Sequence, residues 1–114
     1  MIYRIWHGYT TQANADDYEA LLKREIFLGI EKKEIPGFAG IDLLRRTDGD
    51  EEEFITIMRF ETLEDVKAFV GEDHEVAYVP DAAKKLLKRF DARSQHYELR
   101  ESRSYRHISG KTPT

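Results

Sequence analysis

The stretch Ile2–Tyr9, IYRIWHGY, constrains the chain more than any other. It reads as a β-strand with bulky side chains on both faces. Ile2, Arg4, Trp6 and Gly8 share one face, and Tyr3, Ile5, His7 and Tyr9 share the other, because successive strand residues alternate. Neither row is purely polar, so neither face is built for bulk water. A strand with two covered faces in a chain of 114 residues needs helices on one side and a second cover on the other. A second copy of the chain is the cover we expect.

The remaining elements follow in order. Asn14 reads as a helix N-cap, with Asp16, Asp17 and Glu19 where the helix dipole favours acids. Ala15, Tyr18, Leu22, Ile26 and Ile30 recur at helical spacing, which predicts one helix to about Lys33, stopped by Pro36-Gly37. Phe38 to Thr47 alternates as a strand. Asp48-Gly49 is a hairpin turn signal, and Glu53–Phe60 is the clearest strand, with Phe54, Met58 and Phe60 on one face and Ile55 and Ile57 on the other. Thr62 with Asp65 is a capping-box variant opening a second helix, stripe Leu63, Val66, Phe69 and Val70, which Gly71 ends. Pro80 opens a short third helix, with Ala83, Leu86, Leu87 and Phe90 facing inward. A weakly patterned last strand is expected over roughly Ala92–Glu101.

The order β-α-β-β-α-(α)-β is the split βαβ, ferredoxin-like α+β arrangement with a four-stranded antiparallel sheet. It occupies residues 1–101, and 102–114 is expected to be a flexible C-terminal tail. Two helices cover one sheet face. In a dimeric α/β barrel the other faces pack together, and each Å² of apolar area so buried stabilises the pair by roughly 25 cal/mol before association costs.

Composition narrows the function. A net charge of −4 and a pI near 5.6 argue against nucleic acid or an anionic membrane as the main partner. The chain has no cysteine, which excludes disulfides, thiolate metal sites and a Cys nucleophile. There is no signal-peptide pattern and no apolar run of membrane-spanning length, so a soluble cytoplasmic protein is expected. His7, His74, His96 and His107 lack paired metal-ligand spacing, and no Gly-rich phosphate loop or Ser nucleophile elbow is present. No metal and no cofactor are expected.

Several marks together carry a resemblance. They are Arg4-x-Trp6-x-Gly8, Ile35-Pro36-Gly37-x-x-Gly40, Arg59-Phe60 followed by Glu61-Thr62-Leu63-Glu64, Gly71-Glu72-Asp73, Pro80, and His96-Tyr97-Glu98. The chain resembles the antibiotic biosynthesis monooxygenase-like family of dimeric α/β barrels over about residues 2–101. It departs from many similar sequences at Phe38, where they have Asn, and at Phe60, where they have Trp. The resemblance implies a homodimer with a small-molecule pocket between sheet and helices. It also implies cofactor-independent monooxygenase chemistry on a small aromatic or polyketide-like substrate, which itself supplies electrons to dioxygen. Haem-degrading relatives use a strand-1 Asn, a helix-2 Trp and a haem-ligating His ten residues later. Here strand 1 has no Asn, and the other two positions hold Phe69 and Val79.

Four residues are the candidates for chemistry. Trp6 is either a pocket wall stacking on a flat substrate and donating its indole N–H, or a buried anchor. Arg4 either holds an anionic oxygen or forms an ion pair with a carboxylate. His74 is the candidate base, with Tyr78 as a substrate-binding partner, or a solvated loop histidine. His96 is an alternative to it. A non-catalytic small-molecule-binding or stress-related dimer on the same barrel is the competing reading, and a cofactor-free isomerase or decyclase a third.

Overall fold

The computed structural model describes residues 1–105. The elements are β1 (Ile2–Thr11), α1 (Gln12–Leu21), a π-turn (Leu22–Ile26), α2 (Phe27–Glu31), β2 (Phe38–Asp48), β3 (Glu51–Phe60), α3 (Leu63–Val70), α4 (Asp81–Lys84), β4 (Arg89–Phe90) and β5 (Gln95–Glu98). The sheet order is β2-β3-β1-β4, with β5 also on β1, and every pairing is antiparallel. This is the expected ferredoxin-like α+β architecture. Among the described residues no helix is long and apolar enough to cross a membrane.

Local chemistry sets most boundaries. The first helix begins three residues before the expected start. Thr11, not Asn14, is its N-cap, and the Asn14 backbone N–H donates to Thr11 Oγ1 at 3.2 Å. The capping box at Thr62 and Asp65 is present in both directions. The hairpin after Asp48 turns through Gly49 at φ 64°, a conformation that suits glycine.

Two features depart from the sequence pattern. The first helix is continuous from α1 to α2 but widens at the π-turn, a device frequent at functional sites. The expected last strand over 92–101 shortens to β5, and Phe90, expected on the third helix, lies instead in β4 because that helix ends at Lys84. Between β4 and β5 the chain leaves β1 and bonds to the loop after α3. Ala77 N–H donates to Ala92 O at 3.1 Å, and Ser94 N–H donates to Glu75 O at 2.7 Å. The loop competes with β1 for these backbone groups, and every buried backbone group needs one partner or the other. Residues 102–105 are exposed and carry no regular structure. The rest of the expected tail, with His107, lies outside the described residues.

The helices pack on the face of Arg4, Trp6, Gly8, Phe54, Met58 and Phe60. Two apolar clusters form there. One holds Ala15, Tyr18, Leu22, Phe54 and Ala83, and the other Ile30, Met58, Phe60 and Val66. Gly8 leaves room for the indole, since a Cβ there would lie 2.6 Å from the Trp6 ring. On the opposite face Tyr3, Ile5, His7, Ile55 and Ile57 are half-buried, while Leu44 and Tyr97 are 50% and 55% exposed.

Candidate functional site

The two clusters are separated on β3 by Thr56, which lies between Phe54 and Met58. A cavity opens there between helix and sheet. The π-turn and α2 supply Leu22, Ile26, Phe27 and Ile30 to one wall, and Ile41 and Met58 complete its apolar part. Tyr18 and Trp6 add aromatic surface. Arg4, Thr56, Tyr78 and Ser94 are the polar lining. The cavity is narrow, with room of about 40 Å³ at the scale of a water molecule. Tyr78, Val79 and Pro80, on the wall that follows α3, belong to an irregular loop.

Arg4 organises the polar end. It is only 3% exposed. One Nη donates to the His74 carbonyl at 2.6 Å and to His96 Nε2 at 3.0 Å, and the other donates to the Val76 carbonyl at 2.7 Å. The guanidinium also lies 5.8 Å from the centre of the Phe69 ring. Among the described residues it forms no ion pair with a carboxylate, so the ion-pair reading of Arg4 is overturned. Carbonyl dipoles, which are satisfied without neutralising the charge, take the place of an acid. Burial pushes Arg4 down to about 10, which leaves it cationic at neutral pH. These bonds use three of the five guanidinium N–H donors.

Trp6 lines the cavity with its ring, but its indole N–H donates to the Asp91 carbonyl at 2.7 Å. The expected indole hydrogen bond to substrate is therefore replaced by an anchor to the chain after β4. Wall and anchor are the same residue. Tyr78 lines the cavity and is 38% exposed, and its ring packs 4.9 Å from that of Phe69. Burial alone holds the Tyr18 phenol well above its ordinary value, so it stays protonated.

His74 is not among the cavity-lining residues. Its carbonyl holds Arg4, and its ring lies 5.1 Å from the His96 ring, edge-on. His7 is on the far face, 3.1 Å from Asp91.

Sequence reasoning missed Ser94 and Thr56. Ser94 Oγ and His96 Nδ1 are both buried without a hydrogen-bond partner. The two-residue spacing of Ser94 and His96 puts both on the Arg4 face, and that spacing was the available signal.

No family model matches the chain, and no curated protein matches it. Solved structures do. A Bacillus cereus protein assigned as an antibiotic biosynthesis monooxygenase has a TM-score of 0.66 at 17% identity, over 94% of this chain and 98% of that one. SnoaB, a cofactor-independent oxygenase of Streptomyces nogalater, has a TM-score of 0.60 at 15% identity, over 89% and 95%. MhuD, a haem-degrading protein of Mycobacterium tuberculosis solved with two haems, has a TM-score of 0.56 at 19% identity, over 91% and 100%. The chain has the fold of the antibiotic biosynthesis monooxygenase-like proteins.

Two donor sets can be tested on this fold. His74, Glu75 and His96 each place a ligand atom within 4.8 Å of the others. They do not suit a cation, because the Arg4 guanidinium lies 3.0 Å from His96 Nε2 and opposes a second positive charge. For haem, Val79 occupies the position where the resemblance places the ligating His. It lines the cavity with no ligand atom to offer, so the residues do not fit haem.

Proposed function

We propose that the chain is a cofactor-independent oxygenase-like enzyme acting on a small aromatic or polyketide-like substrate in the Arg4–Trp6 cavity. The observation that carries this reading is a buried, carboxylate-free guanidinium in a cavity whose lining is mainly apolar. Such a charge favours an ionised oxygen on the ligand. An ionised phenol or enol is a far better electron donor than its neutral form. The aromatic and aliphatic walls fit the flat carbon skeleton of such a molecule. Arg4 is the anion stabiliser, and Trp6 and Tyr78 are substrate-binding walls. His74 contributes at the rim through the carbonyl that holds Arg4.

Anthrone illustrates the balance. Its enolate passes electrons to dioxygen. Two C–H bonds of the central CH₂ break and one C=O forms with one oxygen atom. The other oxygen leaves as water with both hydrogens. The irregular loop carrying Tyr78 is the wall that must shift to admit so large a skeleton.

The competing reading, a binding protein without catalysis, is favoured by one specific observation. Among the described residues no His, Asp, Glu or Lys lines the cavity to move a proton. Oxygen uptake separates the two. Purified, chelator-treated protein with anthrone is expected to consume dioxygen in proportion to anthraquinone formed, above the spontaneous rate. Ligand binding with uptake at only the spontaneous rate overturns the enzyme reading.

We also propose a homodimer in which the sheet face of Ile5, Ile55, Ile57 and Leu44 is covered by the same face of a second copy. Support comes from the apolar content of that face and from the packing of the helices of the described residues on the other one.

A further inference from the structure

Ser94 stands where the edge strand returns to β1 after bonding to the loop. It is 2% exposed. It lines the cavity, and among the described residues its Oγ has no hydrogen-bond partner. A buried hydroxyl without a partner is costly, so native interiors rarely keep one. The local backbone does not require it. The Ser94 N–H already donates to the Glu75 carbonyl at 2.7 Å, and an alanine would make the same bond. Arg4 pairs with His96 and Ile5 with Gln95. Ser94 directly precedes Gln95 and lines the cavity together with Arg4 and Trp6. A ligand in the cavity that Ser94 lines can supply the missing partner.

We propose that the Ser94 hydroxyl is the polar anchor of the cavity, hydrogen-bonding a single hydroxyl or carbonyl oxygen on an otherwise apolar ligand. This rests on the reading that the cavity takes a small aromatic molecule. The Ser94 hydroxyl both donates and accepts. It can thus hold a neutral phenol or a ketone, and can donate to the ionised oxygen that Arg4 favours. An apolar ligand of the same shape leaves the hydroxyl unpaired and binds less tightly.

The test uses a matched pair, 4-propylphenol and propylbenzene. Trp6 is the sole tryptophan and lines the cavity, so its emission reports binding of either. The native chain is expected to prefer the phenol by on the order of tenfold or more, the ratio that about 1.4 kcal/mol gives. Ser94→Ala is expected to cut that preference about fivefold or more and to leave propylbenzene affinity unchanged. Its thermal midpoint should be equal to or above that of the native chain, because an unpaired hydroxyl has been removed. Ser94→Cys, with a weak donor of similar size, should fall between the two.

A preference that changes less than about twofold in Ser94→Ala overturns the anchor and leaves the cavity reading standing. A lowered thermal midpoint in Ser94→Ala overturns it too, since the hydroxyl then serves the fold. If neither probe alters Trp6 emission in the native chain, the cavity reading fails and the anchor fails with it.

Discussion

The guanidinium of Arg4 lies 3.0 Å from Nε2 of His96, across the β1–β5 pair. Arginine only donates. Nε2 must therefore carry the lone pair, and the imidazole is neutral with its proton on Nδ1. Burial, then Arg4, then His74 push His96 down to about 4.

That depression makes stability depend on pH. In the unfolded chain a histidine titrates near its ordinary value of about 6.5, so on acidification the unfolded state takes up the proton first. The contribution of neutral His96 is complete above about 6.5 and is lost progressively as pH falls to about 4. The urea midpoint is expected to decline across that window. His96→Gln, which keeps an acceptor for Arg4 but does not titrate, should flatten the decline. An equal slope in both proteins would show that other groups set it.

Gly8 tests the packing that holds Trp6 in place. An added methyl would meet the indole at 2.6 Å and Leu87 at 3.0 Å. Gly8→Ala is expected to destabilise the chain by about 1–3 kcal/mol, the usual range for overpacking. It should also shift Trp6 emission as the ring is pushed toward the cavity. A shift without a change in urea midpoint would show that the indole has room to move.

The free sheet face tests assembly. Ile57 pairs with Ile5 and is half-buried in the single chain. Ile57→Lys would put a charge at the centre of the proposed interface, which an apolar patch does not tolerate unpaired. Light scattering at micromolar concentration is expected to give the mass of two chains for the native protein and one for Ile57→Lys. A native monomer would contradict the dimer.

Much of this was legible because it is local. Alternation in β1 and β3 placed Arg4, Trp6, Phe54 and Met58 on one face, and Thr62 with Asp65 announced their own cap. The rest depended on distant competition. The edge strand breaks because residues 92–94 find partners in the loop at 75–77, and no periodicity encodes that choice. The partners of Arg4 are backbone carbonyls, which every residue carries and no sequence pattern marks. The π-turn falls within Leu22-Lys23-Arg24-Glu25-Ile26, where the side chains alone read as ordinary helix. His74 meets Arg4 through its backbone carbonyl, not through its ring. Ser94 stood in a weakly patterned stretch, and its importance comes from having no partner, which only packing reveals.

The central claim is that Arg4 makes the cavity a site for an ionised oxygen. Bound 4-nitrophenol tests it most directly, because its phenolate is coloured and its ionisation can be titrated in place. An apolar cavity alone would disfavour the anion and raise the pKa of the bound phenol, while a buried guanidinium would lower it. The account predicts that the bound phenol ionises at a lower pH than the free one. Ionisation at a higher pH than in water would contradict it.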